Sequence, residues 1–138
     1  MEIKYTLEEI SNAASFILKN ADSNIILFQG EMGGGKTTLI KALTALSGSE
    51  DTVSSPTFSL VNEYQCLGVP IYHFDMYRIN NESEVINIGF DEYLDFGYLI
   101  FIEWPEQIPN LLPKEYTKVS ITIIEPNTRK LTIQNIKN

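Results

Sequence analysis

The sequence predicts an α/β fold arranged around one glycine-rich loop. An apolar, β-prone run, Ile25-Ile26-Leu27-Phe28, has the length of a buried strand and comes just before this loop. After the loop, apolar residues recur at the i, i+3, i+4, i+7 spacing of a helix with one buried face, at Leu39, Ala42, Leu43 and Leu46. A strand, a glycine loop and a helix in this order form the structural context in which nucleotide phosphates are bound.

The loop itself, Gly30-Glu31-Met32-Gly33-Gly34-Gly35-Lys36-Thr37, matches the phosphate-binding pattern G-x-x-x-x-G-K-[ST]. Glycines allow backbone N–H groups to curl around a phosphate, and the helix that follows adds free N–H groups and a positive dipole end. Lys36 is predicted to reach the β- and γ-phosphates, and the Thr37 hydroxyl to bind Mg²⁺. A turn that binds nothing is disfavoured by the flanking elements. The predicted nucleotide contacts in this region are Met32, Gly33, Gly34, Gly35, Lys36, Thr37 and Thr38.

Composition limits the class of protein and the kind of partner. The 138 residues, 43% of them hydrophobic, are expected to form a single domain over residues 1–138. No apolar run approaches the ~18–20 residues of a membrane helix and no signal region begins the chain, so a cytoplasmic protein without membrane contact is expected. One cysteine and one histidine argue against an internal disulfide and a zinc site. The net charge of −8 argues against a broad grip on nucleic acid, so any RNA is expected to be held by a basic partner.

The remaining elements follow from capping, alternation and turn residues. Thr6-Leu7-Glu8-Glu9 is a capping-box pattern that predicts the start of a helix with an apolar stripe from Leu7 to Leu18. Residues 57–64 alternate as a strand, and a turn with Gly68 and Pro70 leads into a second strand, 71–74, that ends at Asp75. Further predicted elements are a short helix at 82–88, a loop or short helical turns at 89–97, a strand at 98–102, a helical segment from Pro105, and a hairpin of strands 118–124 and 130–136.

Two acidic residues follow apolar strands, where a P-loop protein needs a second group to hold Mg²⁺. Glu103 ends the most apolar run of the chain, 98–102, which has the form of a central strand beside the P-loop strand, so Glu103 is predicted to be the metal-site acid. Asp75 is predicted to position water or to support the metal. Ser55-Pro56-Thr57 lies where many P-loop proteins carry a segment that senses the γ-phosphate, so Thr57 is a further predicted nucleotide contact.

Four blocks appear in order along the chain and together resemble one family. They are the loop from Gly30 to Thr38, then Ser55-Pro56-Thr57-Phe58 with Glu63-Tyr64, then His73-Phe74-Asp75-Met76-Tyr77-Arg78, and finally Ile102-Glu103-Trp104-Pro105. In this combination the chain resembles the bacterial TsaE (YjeE) family, the ATPase of transfer-RNA threonylcarbamoyladenosine synthesis. The P-loop is shared by many families, whereas the last two blocks at this spacing are much more discriminating.

The resemblance implies a three-layer P-loop NTPase-like fold, with a mostly parallel central sheet, an antiparallel portion and flanking helices. It also implies binding of ATP and Mg²⁺, slow hydrolysis by the chain alone, and action with TsaD-like and TsaB-like partners, through which transfer RNA is reached indirectly. By motif, the implied roles are phosphate and Mg²⁺ binding for Lys36 and Thr37, metal binding for Glu103, a place at the γ-phosphate for Asp75, and a place near the nucleotide for Arg129.

Three alternatives remain open at this point. A small-molecule or nucleoside kinase usually clamps its substrates with several arginines and a mobile lid, whereas Arg78 and Arg129 are the only arginines of this chain. A GTPase is disfavoured because no Asn-Lys-x-Asp base-reading motif occurs. A nucleotide-controlled binding module, in which hydrolysis is incidental, is the non-enzymatic alternative.

Overall fold

The computed structural model describes residues 1–31, 35–53 and 60–137, which form α-helices around one seven-stranded sheet. The strands are β1 (Glu2–Thr6), β2 (Ile25–Gly30), β3 (Val61–Cys66), β4 (Val69–Asp75), β5 (Leu99–Glu103), β6 (Glu115–Glu125) and β7 (Thr128–Lys137). The α-helices are α1 (Ile10–Asn20), α2 (Lys36–Leu46), α3 (Ser83–Asn87) and α4 (Phe90–Phe96). Short 3₁₀ turns at Leu7–Glu9 and Pro105–Gln107 precede α1 and follow β5.

The sheet has the order β1-β7-β6-β2-β5-β4-β3 and combines a parallel centre with antiparallel margins. β2 pairs in parallel with β6 on one side and with β5 on the other, and β5 pairs in parallel with β4. The outer pairs β1–β7, β6–β7 and β3–β4 are antiparallel. The implied mostly parallel sheet with an antiparallel portion is therefore confirmed, and the P-loop strand lies at its centre.

Helices cover both faces of the sheet, as the implied three-layer architecture requires. Along β2, Ile26 and Phe28 pack into a core with α1 and α2, while Ile25 and Leu27 pack into a second core beneath α3 and α4. This alternation explains why the run is apolar at every position, since both faces of a central parallel strand are buried. Each fully buried side chain of this size contributes ~1.5–3 kcal/mol of hydrophobic stabilisation.

The structure confirms most of the predicted elements and adds one strand. Thr6 and Glu9 form the expected capping box, in which the Thr6 backbone N–H donates to Glu9 Oε1 at 2.9 Å. The β3–β4 and β6–β7 hairpins are both present, and α4 occupies the segment expected to be a loop or short helical turns. β1 was not predicted, although its five residues alternate polar and apolar side chains, and the strand pairs with β7.

In the described part of the chain, no helix is both long and apolar enough to cross a membrane.

The β3–β4 turn offers a test of backbone strain that is far from the glycine-rich loop. Leu67 and Gly68 join the paired residues Cys66 and Val69 with φ values of 53° and 88°, the two positive values of a type I′ turn. Leucine is an unusual residue at such a position, and its side chain is 87% exposed.

We expect Leu67→Asn to stabilise the protein and Gly68→Ala to destabilise it. Because a left-handed conformation costs a non-glycine residue ~1–2 kcal/mol and asparagine tolerates it better, the expected changes are about +0.5–1 and about −1 kcal/mol. A Cβ at Gly68 would meet no atom within 4 Å, so its effect would report the backbone alone. Urea unfolding measures both changes, and an unchanged stability of Gly68→Ala would contradict the turn geometry.

Candidate functional site

Gly30 begins the glycine-rich loop, and Gly35 is its last glycine. A side chain is disfavoured at each of these positions for a different reason. A Cβ on Gly30 would lie 2.9 Å from the Ile121 carbonyl oxygen, so the close approach of β2 and β6 excludes a side chain there. Gly35 has a φ of 95°, in the left-handed region, and forms the N-cap of α2. Met32, Gly33 and Gly34 lie outside the described residues.

Lys36 is folded back onto its own loop. Its side chain is only 5% exposed, and Nζ donates a hydrogen bond to the Gly30 carbonyl oxygen at 2.9 Å. The same ammonium lies 3.7 Å from the ring centroid of Trp104, in a cation–π contact. Burial lowers the pKa of Lys36, and the nearby carboxylates of Glu103, Glu106 and Asp75 oppose this effect. A cation is therefore held where the sequence predicts that phosphates bind.

Trp104, which forms this contact, has a strained backbone conformation. Its φ and ψ of 57° and 51° are in the left-handed region, which is rare for a bulky residue. The indole ring also packs at a centroid distance of 5.0 Å against Tyr77. Strain of this kind persists only where the surrounding structure fixes the residue, and it is concentrated at functional sites.

Glu103 is a buried carboxylate directed toward the start of α2. It is 3% exposed, and Thr37 Oγ1 donates to its Oε1 across 3.5 Å, a long hydrogen bond. Its second oxygen, Oε2, lies 2.7 Å from His73 Nε2. The position of Glu103 follows from sheet register, because Glu103 pairs with Phe28 of the P-loop strand on one side and with Asp75 on the other.

Asp75 is the second carboxylate at this edge of the sheet. Its Oδ1 accepts the Tyr77 backbone N–H at 3.0 Å, which fixes the side chain at the end of β4. Burial raises the pKa of Asp75, and the Tyr77 N–H opposes this effect. The two predicted acids, Asp75 and Glu103, are thus neighbours at the carboxyl ends of adjacent parallel strands.

The donor set at Thr37 and Glu103 fits a magnesium ion. Mg²⁺ prefers oxygen ligands and is usually held by one or two carboxylates together with substrate phosphates. A hydroxyl oxygen and a buried carboxylate oxygen face each other at 3.5 Å, at the start of the helix that follows the glycine-rich loop. These residues could hold the ion beside a bound phosphate.

A groove of about 660 Å³ opens beside the start of the loop, between Trp104 and the end of β6 near Ile121. Its size is within the ~300–1,000 Å³ range of small-molecule sites. Its lining also includes Gln29, Gly30, Glu31 and Glu106. The groove and the cation at Lys36 thus share Trp104 as a common wall.

The other predicted contacts are more dispersed. Thr38 is exposed on the first turn of α2, and Thr57 lies outside the described residues. Arg129 belongs to β7, which is separated from β2 by β6, and is 7% exposed. Its Nη1 donates to the carbonyl oxygens of Glu125, Pro126 and Thr128 at 3.1–3.2 Å, so its described contacts stabilise the β6–β7 turn.

Two side chains beneath the site were not assigned a role from sequence. His73 is fully buried against Glu103, and the hydroxyl of Tyr64 lies 3.1 Å from His73 Nδ1. The sequence pattern that could have pointed to His73 is strand alternation, since His73 and Asp75 are two residues apart on one strand and share a face. The partner across the sheet depends on register between β4 and β5, which alternation does not reveal.

Comparisons with known proteins identify the family of the chain. The family model described as "Threonylcarbamoyl adenosine biosynthesis protein TsaE" matches residues 5–131. The tRNA threonylcarbamoyladenosine biosynthesis protein TsaE of Rickettsia typhi is 36% identical over 129 residues, covering 92% of this chain and 89% of the relative. The TsaE protein of Bacillus subtilis is 33% identical over 115 residues, covering 83% and 72%. The crystal structure of Bacillus subtilis YdiB superposes with a TM-score of 0.74 at 25% identity, covering 100% of this chain and 88% of that one.

Proposed function

The chain belongs to the TsaE family, whose role lies in tRNA threonylcarbamoyladenosine biosynthesis, and we propose that it is the Mg²⁺-dependent, ATP-binding and ATP-hydrolysing component of that system. It acts with TsaD-like and TsaB-like partners, and it reaches transfer RNA through them rather than by its own surface. The net charge of −8 supports this indirect contact, because an acidic chain repels the phosphate backbone.

One observation carries the proposal, namely the convergence of four groups at the carboxyl edge of the parallel strands. Lys36 and Thr37 begin α2, while Glu103 and Asp75 end the neighbouring strands β5 and β4. The hydroxyl of Thr37 is 3.5 Å from the Glu103 carboxylate, although the two residues are 66 positions apart in the chain. A cation, a hydroxyl and two carboxylates are the groups that a P-loop site needs for a triphosphate and its metal.

Each group has a separate task in the proposed reaction. Lys36 exchanges its contacts with Gly30 and Trp104 for the β- and γ-phosphates, and Thr37 and Glu103 hold the metal. When bound, Mg²⁺ neutralises the charge that develops on the transferred phosphoryl group. Asp75 has a raised pKa and lies next to Glu103, a place suited to orienting the attacking water.

The test of the proposal is ATP hydrolysis by the purified chain, measured with and without a TsaD–TsaB complex. We expect slow, Mg²⁺-dependent release of phosphate by the chain alone and a faster rate with the complex. Absence of ATP binding and of any stimulation would contradict the proposal. Transfer of labelled γ-phosphate to a nucleoside or metabolite would instead identify a kinase, and tighter binding of GTP than of ATP would identify a GTPase.

We expect Lys36→Ala to weaken ATP binding by roughly tenfold, because hydrogen bonds from the ammonium to two phosphates, at about 1.5–3 kcal/mol each, exceed the contacts with Gly30 and Trp104 that they replace. The matched control is Lys41→Ala, which removes an exposed lysine from the same helix. Equilibrium binding of a fluorescent ATP analogue measures both variants. Equal affinity of the two variants would exclude Lys36 from phosphate binding.

We expect Glu103→Gln to raise the Mg²⁺ concentration needed for half-maximal hydrolysis by roughly tenfold, since an amide oxygen is a weaker ligand than a carboxylate. Binding of ATP in the presence of EDTA should change much less. Glu50→Gln, which changes an exposed acid elsewhere, serves as the control. A rate and a Mg²⁺ dependence equal to those of the unmodified chain would remove Glu103 from the metal site.

A further inference from the structure

A chain of three buried polar side chains runs beneath the candidate metal site. Tyr64, His73 and Glu103 are 4%, 0% and 3% exposed, and they come from the adjacent strands β3, β4 and β5. The Tyr64 hydroxyl is 3.1 Å from His73 Nδ1, and His73 Nε2 is 2.7 Å from Glu103 Oε2. Glu103, the last of these three residues, faces the Thr37 hydroxyl across 3.5 Å.

The two oxygens of Glu103 therefore have different surroundings. Oε2 is anchored by His73, whereas Oε1 is presented to the Thr37 hydroxyl at the start of α2. A carboxylate on an unsupported side chain would sample several rotamers, and a buried one would carry a large desolvation cost. The hydrogen bond from His73 reduces that cost and fixes the direction of the oxygen that faces α2.

The hydrogen bonds continue from Glu103 through His73 to Tyr64. A carboxylate that binds a metal ion is ionised and only accepts, so in the proposed site His73 Nε2–H donates to Glu103 Oε2. The second nitrogen of the same ring, Nδ1, lies 3.1 Å from the Tyr64 hydroxyl. The Asn62 amide donates to the Tyr64 oxygen across 3.5 Å.

This arrangement is not needed for packing alone. His73 pairs across the sheet with Phe101, and its face of β4 is otherwise packed in the apolar core beneath α1 and α2. Apolar residues of similar volume commonly give equal or greater stability than a buried polar network. The series of polar groups ends at Glu103, whose carboxylate faces Thr37, which indicates a role in directing that carboxylate.

We propose that His73 and Tyr64 are positioning residues, which hold Glu103 in the orientation that binds the nucleotide's magnesium ion. The inference rests on the proposed function, since it takes Glu103 as the metal-binding acid. His73 acts directly on Glu103, and Tyr64 acts through His73. Outer partners of this kind, which orient a metal ligand, commonly change metal affinity by roughly 10–100-fold when they are removed.

The experiment measures how Mg²⁺ strengthens the binding of a fluorescent ATP analogue. His73→Leu removes the donor to Glu103 at similar volume, and His73→Gln keeps an amide N–H near the position of Nε2. Tyr64→Phe removes only the hydroxyl that orients the ring. The matched control is Tyr93→Phe, which removes a hydroxyl from an aromatic residue packed against Phe74 on the opposite core. Thermal unfolding without nucleotide shows which variants are folded.

We expect His73→Leu to raise the half-saturating Mg²⁺ concentration by roughly tenfold and Tyr64→Phe by a few-fold. His73→Gln should restore most of the loss, and Tyr93→Phe should match the unmodified chain. Affinity for the analogue in EDTA should stay the same in all four variants. A merely structural role would lower the unfolding temperature without changing this Mg²⁺ dependence.

Two results separate this inference from the proposed function. If Glu103→Gln raises the half-saturating Mg²⁺ concentration while folded His73→Leu and Tyr64→Phe match Tyr93→Phe, the positioning roles are wrong and the metal site stands. If Glu103→Gln also leaves the Mg²⁺ dependence unchanged, the assignment of Glu103 to the metal fails, and the positioning inference fails with it. Should His73→Leu not fold, Tyr64→Phe alone decides the question.

Discussion

The parallel register of β2, β5 and β4 is the constraint on which the site depends. Phe28 of β2 lies beside Glu103 of β5, and Glu103 lies beside Asp75 of β4. Because all three strands run in the same direction, they end at one edge of the sheet, and the helix that follows β2 starts at that edge. A one-residue slip of β5 would move Glu103 to the other face, away from Thr37 and into the core beneath α3 and α4. Site chemistry is thus set by backbone pairing between segments that are distant in sequence.

The register also determines which polar groups are buried together. Glu103 is inside the protein because it ends a strand whose other residues are fully apolar, and its charge is tolerated because His73 and Thr37 contact its two oxygens. Removal of either contact leaves a partly unsatisfied buried carboxylate, which costs more than the hydrogen bond itself contributes. Trp104, at the same edge, has a left-handed backbone conformation. A desolvated residue, Glu103, is therefore followed directly by a strained one, and strain of this kind is common at functional sites.

Much of this fold could be predicted from local sequence patterns. The register between strands and the conformations of individual residues could not. The run Ile25–Phe28, the capping box at Thr6 and the start of α2 at Lys36 are encoded by neighbouring residues, and each was found where it was expected. Tyr64 and His73 illustrate the opposite case, because their role depends on which strand pairs with which, and at what offset. The ring that Lys36 contacts belongs to Trp104, whose left-handed φ the residue type itself disfavours. The roles predicted for Thr57 and Arg129 stay predictions.

The contacts of Lys36 bear on how tightly a phosphate can be held. Its ammonium already has a carbonyl partner at 2.9 Å and an aromatic face at 3.7 Å, so phosphate binding replaces these contacts rather than adding to an unpaired charge. A cation–π contact contributes ~0.5–2 kcal/mol and a hydrogen bond from a charged group about 1.5–3 kcal/mol, and both would be subtracted from the gain at the phosphate. These contacts give the ammonium partners inside the protein. Burial without a partner would lower the pKa of Lys36 further. Burial lowers that pKa and the nearby carboxylates oppose the effect, so the lysine has partners in the same place where a phosphate is expected.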